Sequence, residues 1–123
     1  FLMKGDPRDL PSFPTRRSSD LGGIWCSSVL SNRIIRLDRN GSLQVIIDAG
    51  DPELVERAEL AYQNNLFSRS LINEGQDSAL GNCASLCFGG DDLKTVFVGS
   101  LHLDTIPCFR SPVAGTPPPH WLF

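Results

Sequence analysis

Two stretches of this chain repeat one another. Ile24-Trp25-Cys26-Ser27-Ser28 aligns with Val96-Phe97-Val98-Gly99-Ser100, and Arg33-Ile34-Ile35-Arg36-Leu37 aligns with Thr105-Ile106-Pro107-Cys108-Phe109 at the same offset. A unit of short strands written twice restricts the chain to folds that place copies of one small sheet side by side, and radial blades are the compact solution. The offset is longer than a typical blade, so additional structure must be inserted between the copies.

The strands themselves are legible. Ile24 to Val29 and Arg33 to Asp38 read as strands separated by a turn at Ser31-Asn32. Asn40-Gly41 then predicts a two-residue type I′ hairpin, because both residue types tolerate positive φ, and Ser42 to Ile47 supplies a third strand. Asn40-Gly41-Ser42 also fits a glycosylation acceptor, but the turn accounts for it without a further role. Later, Cys83 to Phe88, Thr95 to Gly99 and Asp104 to Arg110 read as three more strands. Pro107 lacks an N–H and assigns the last of them to a sheet edge.

The insertion begins with a helix over residues 52–64. Asp51 can cap it, Pro52 suits the first helical position, and Leu54, Ala58, Ala61 and Tyr62 share one face. Residues 64–81 are polar and read as a long loop, of the kind that packs over a surface or guards an opening.

The phrases GGIWCSSVLSNRIIRLDRNGS, SLCFGGDDLKTVFVGSL and FRSPVAGTPPPHW resemble the closing blades of the SMP-30/gluconolactonase/LRE-like family, over nearly all of residues 22–123. The resemblance implies an all-β fold: about two blades at the C-terminal end of a six-bladed β-propeller, with one short inserted helix. It also implies that the intact protein hydrolyses sugar lactones, which are small cyclic esters, with a divalent metal (calcium, zinc, magnesium or manganese) on the central axis. The family's ligand aspartate lies in a Pro-Asp-Gly type motif just before the GGIW-like strand. In this register Pro14 or a neighbour takes its place, and Asp20 lies too close to Gly22. The other ligands would lie upstream, so the chain is expected to carry no catalytic residue, no metal ligand and no bound metal of its own. The alternative is a propeller serving as a non-catalytic binding scaffold.

Residues 1–21, FLMKGDPRDLPSFPTRRSSDL, have neither strand nor helix periodicity, and PSFPTRRSSDL resembles the conceptual translation of a sequencing adapter. This head is expected to be artefactual and unstructured. Arg16-Arg17-Ser18-Ser19 would fit a basophilic phosphorylation site, a pattern short enough to arise by chance.

Net charge is −3 and Lys and Arg do not cluster beyond Arg16-Arg17, which argues against a nucleic-acid or anionic-membrane partner and leaves small molecules or proteins. No apolar run is long enough for a membrane span or a secretory signal, and four sparse cysteines suit a reducing compartment. A cytoplasmic protein is expected.

Among candidate chemical groups, Cys83, Cys87, His102 and His120 invite a zinc reading. Two cysteines four apart on one strand face would stand about 13 Å apart, too far to share zinc, so the cysteines are read as core. Trp25 and Trp121 are read as packing residues between blades, Asp91-Asp92 as a solvated turn, and Ser85 as a wall residue without a paired base. The isolated chain is expected to fold poorly, because Trp25, Ile35 and Phe97 would lie uncovered on inter-blade faces.

Overall fold

The structure, a computed structural model, describes residues 22–117 together with the backbone of Arg17–Ser18. The architecture is mostly β. Strands β1 (Arg17–Ser18), β2 (Ile24–Ser28), β3 (Arg33–Leu37) and β4 (Leu43–Asp48) form one antiparallel sheet in that order. Strands β5 (Cys83–Gly89), β6 (Thr95–Ser100) and β7 (Cys108–Arg110) form a second. Helices α1 (Pro52–Gln63) and α2 (Arg69–Glu74) lie between the sheets in sequence.

Two expectations are corrected at once. Residues 17 and 18 pair with Trp25 and Ile24 and occupy the place at β2 that β5 occupies at β6, so the head is not without structure throughout. The rest of residues 1–21 lies outside the described residues. Within the expected loop 64–81, α2 forms, although it buries none of its residues. Its backbone is held by tertiary bonds, to which periodicity is blind.

Helix α1 forms as its sequence dictates. Asp51 is extended, and its carboxylate accepts the Glu53 N–H at 2.9 Å, while Pro52 follows where no N–H is needed. Leu54 and Ala58 are buried, but Ala61 is half-buried and Tyr62 exposed, so the buried stripe is narrower than the spacing implied.

The β3–β4 hairpin differs from the expected two-residue turn. Gly41 N–H donates to Asp38 O at 3.1 Å, and Asp38 N–H to Ser42 O at 3.0 Å. Gly41 alone takes positive φ, at 83°. This is a three-residue hairpin, a tight turn closed by a left-handed glycine. The Asp38 carboxylate selects it by accepting the Asn40 and Ser42 N–H groups at 2.9 and 2.8 Å, an option that the Asn-Gly pair alone does not reveal.

The last strand is shorter than expected. Pro107 stands just before it, and although Pro107 O accepts the Val98 N–H at 2.9 Å, the regular ladder starts only at Cys108. Strand β7 is an edge strand, the position that proline tolerates.

The sheets pack face to face. Trp25, Ile34, Leu80, Cys83, Leu86, Phe88, Val96 and Val98 form one buried cluster, flanked by Ile46, Ile47, Phe109 and Val113. Trp25 is fully buried and meets Phe88 edge-on, with ring centroids 5.2 Å apart, and Phe109 at 6.4 Å. The expectation that Trp25 lies uncovered is therefore overturned: the second sheet covers it. Ile35 is half-buried, and Phe97 remains 37% exposed.

Register explains which side each residue takes. Antiparallel partners share a face, so Trp25 with Arg36, and Ser27 with Ile34, look toward the second sheet, while Ile24 with Leu37 and Cys26 with Ile35 look away. In the second sheet, Val96 with Phe109 look inward, and Phe97 with Cys87 and Cys108 look outward. Irregular pairing between Cys83 and Ser85 turns Cys83 inward while Cys87 points out, so these two cysteines occupy opposite faces rather than one.

No helix among the described residues is long and apolar enough to cross a membrane.

Candidate functional site

Two polar clusters lie at the seam between the sheets. The first joins the β2–β3 turn to the start of β5. Asn32 and Asn82 are buried, and both adopt left-handed backbone, at φ 46° and 63°, which asparagine tolerates better than most residues. Asn32 Oδ1 accepts the N–H groups of Asn82 at 2.7 Å and Cys83 at 3.3 Å. Its amide nitrogen donates to Gly75 O at 3.1 Å and to Asn82 Oδ1 at 3.4 Å. The amide nitrogen of Asn82 donates in turn to Ile72 O.

Residues from the β2–β3 turn, α2, its C-terminal cap and β5 are thus tied at one point. Gly75 belongs there because a Cβ would come within 2.9 Å of Asn82 Oδ1 and 3.1 Å of the Asn32 amide nitrogen. The acceptors and donors of the two amides are spent on protein groups, so the cluster is a structural clamp. The backbone of the segment after α1 is thereby tethered to the β2–β3 turn and to the start of β5.

The second cluster is Arg36 beside Trp25, partners across β2 and β3 on the inward face. Arg36 is 9% exposed, and its Nη1 donates to Gln44 Oε1 at 3.0 Å. Among the described residues, Arg36 Nε and Trp25 Nε1 have no hydrogen-bond partner. Gly23 makes room for the guanidinium, since a Cβ there would stand 2.7 Å from Arg36 Nε. A planar cation and an indole N–H on one face favour oxygen acceptors.

The candidate groups read from sequence do not converge. Cys83 is buried, and its thiol donates to Ser28 O at 3.3 Å; burial pushes its pKa up, which suits an inert core thiol. Cys87 and Cys108 are exposed, so the core reading fails for them. They flank Phe97 on neighbouring strands. His102 is exposed, and His120 and Trp121 lie outside the described residues. Among the described residues, no three His, Cys, Asp or Glu side chains gather as a metal site. Ser85 is half-buried opposite Gly99. An open cleft of about 540 Å³ runs between α2 and the loop after β6, lined by Phe67, Ile72, Leu101 and His102 among others.

Asp92 is not merely solvated, as the sequence suggested. Arg110 grips it, with Nη2 at 2.5 Å and Nη1 at 3.1 Å, and the Lys94 N–H donates to it at 3.0 Å. Chiefly through Arg110, its pKa falls to about 2 from the usual 3.8. A pKa depressed in the folded state contributes stability above the unfolded value, and that contribution is lost as pH falls toward 2. We expect Asp92→Asn to be less stable than the parent at pH 5 and for the gap to close between pH 4 and 2. Urea melts across that range test this, and a gap that stayed constant would show that the pair does not couple to folding.

Comparison with models of known protein families, with curated proteins and with solved structures finds no match to the chain.

Proposed function

We propose that residues 22–117 contribute two neighbouring blades to a six-bladed propeller of the SMP-30/gluconolactonase type, and that the intact protein hydrolyses sugar lactones with a divalent metal. The observation that carries this reading is the way the two sheets stack. Ile24 pairs with Leu37 as Val96 pairs with Phe109, and Trp25 pairs with Arg36 as Phe97 pairs with Cys108, so the repeat preserves strand register residue for residue.

The aligned residues nevertheless face opposite ways relative to the shared core. Trp25 points into it and Phe97 out of it, while Ile24 points out and Val96 in. A two-fold sandwich would bring equivalent faces together. Stacking each sheet's front on the next sheet's back is instead the rotational arrangement of blades. This supports the propeller reading, and the family phrases support the choice of family.

The chemistry belongs to the ring as a whole. A metal on its axis would polarise the lactone carbonyl and bind water. In this reading the part of residues 22–117 is to provide wall and spacing, with the ligands contributed by other blades. The test is to recover the reading frame upstream of Gly22, express the complete protein, and measure hydrolysis of a sugar lactone before and after chelation. Hydrolysis lost with chelator and restored by calcium, zinc, magnesium or manganese is expected. A complete, folded protein that hydrolysed no lactone with any of these ions would leave only a binding scaffold.

A further inference from the structure

Arg36 sits at the seam with one edge of its guanidinium unused. It is paired with Trp25 on β2 and with Gln44 on β4, in the inward row that the second sheet covers. Its Nη1 is spent on Gln44 Oε1 at 3.0 Å. The other edge, Nε with Nη2, lies over Gly23, where a Cβ would stand 2.7 Å from Nε and 2.9 Å from Nη2. Nε is buried without an acceptor among the described residues, and so is Trp25 Nε1 on the same row. A buried cation without a counter-charge is costly, and the Nε–Nη2 edge is one from which a carboxylate accepts two parallel bonds.

Few directions are open to such an acceptor. Toward the second sheet, the row meets the rings of Phe88 and Phe109, which offer none. Among nearby carboxylates, Asp38 is committed to the Asn40 and Ser42 N–H groups, and Asp48 to Arg33 at 3.0 Å. A further blade stacked on an open sheet face does not reach a row that looks into the seam. The side that remains is the strand running into Gly22. Arg39 lies against Gly22 as Arg36 lies against Gly23, so two cations border this entry.

We propose that in the intact protein the strand preceding Gly22 carries a carboxylate, Asp or Glu, opposite Gly23, and that Arg36 Nε and Nη2 hold it. Arg36 then ties the incoming strand to the blade and sets its register. The pairing of Arg17 with Trp25 and Ser18 with Ile24, carried one step further, assigns this carboxylate to position 19. Here that residue is the uncharged Ser19, and Asp20 is one residue off the alternation that serves the inward row. Of the reading above, only the replacement of a native strand by residues 1–21 is assumed; neither lactone chemistry nor the number of blades enters.

Ser19→Asp supplies the carboxylate in the chain as it stands. In urea melts at pH 7 it should raise the folded-to-unfolded ratio about tenfold or more, as a charge-assisted pair does. The Arg36 Nε–H resonance should move downfield and exchange more slowly with water. The same substitution in an Arg36→Met background should give no gain. No gain in the parental background overturns the pairing, and so does a gain that survives Arg36→Met, which would be an effect of charge alone. Arg36→Met by itself should leave stability unchanged or raised, because it removes an unpaired buried charge. A marked loss would show Arg36 to be already paired and would overturn the assignment.

The recovered reading frame upstream of Gly22 should place Asp or Glu at this position. A native strand without an acid there overturns the pairing and leaves lactone hydrolysis by the intact protein standing. An intact protein that pairs the acid with Arg36 but hydrolyses no lactone does the reverse.

Discussion

Trp25→Ala is expected to destabilise the chain by about 3–5 kcal/mol, the cost of removing a fully buried large aromatic side chain. Trp25 is the side chain through which the first sheet touches both Phe88 and Phe109 of the second. Its removal opens a cavity at the centre of the seam and also takes away an edge-on aromatic pair worth roughly 0.5–1.5 kcal/mol. Such a loss is a large share of the 5–15 kcal/mol typical of a domain, so denaturant melts should be read alongside the milder Trp25→Phe. Both variants should lower the urea midpoint, Ala more than Phe. If Trp25→Ala cost less than about 1 kcal/mol, the sheets could not be packed through this residue.

The second large effect is at Asn32. Asn32→Ala strips the Asn82 and Cys83 N–H groups and Gly75 O of a buried partner, each loss costing about 1–3 kcal/mol. It also leaves a Cβ-bearing residue in left-handed backbone with no local hydrogen bond to offset the strain. Asn32→Gly separates these effects, because it deletes the same bonds but fits the φ of 46°. The expected order of stability is parent, then Gly, then Ala, with the last two about 1 kcal/mol apart. Amide exchange at Asn82 and Cys83 should accelerate in both. Equal stability of the Gly and Ala variants would remove the backbone contribution from the account.

How much of this was legible in the sequence depends on whether a feature is local. Strands β2 to β6 and helix α1 follow from alternation, an Asx cap and a proline, all of which act within a few residues. Helix α2 was missed because RSLINE is short, buries nothing, and is tied down by Asn82 and Asn32 from far along the chain. The hairpin was misread because Asp38, outside the Asn-Gly pair, decides the turn.

The facing of Trp25 and Phe97 shows the same limit more sharply. Alignment reveals that two residues are equivalent, but which is covered depends on the side from which the neighbouring sheet arrives. The cysteines were placed on one face because the irregular pairing in β5 leaves no mark in CASLCFG. At the level of the site, sequence reading assigned no catalytic or metal-binding residue. The buried Arg36 beside Trp25 went unremarked, although a cation alternating with isoleucine in Arg33-Ile34-Ile35-Arg36 was a visible sign that one arginine must point inward.

The asparagine clamp also bears on the order of folding. Asn32 reaches partners 43 and 50 positions away, so the chain must close a long loop before these bonds can form. Each hairpin can assemble from near neighbours first, and the clamp then locks one sheet to the other. Loss of a contact made after the barrier leaves refolding almost untouched and speeds unfolding. The Asn32 variants should therefore shorten the lifetime of the native state in stopped-flow unfolding, whereas slowed refolding would move the clamp into the nucleus.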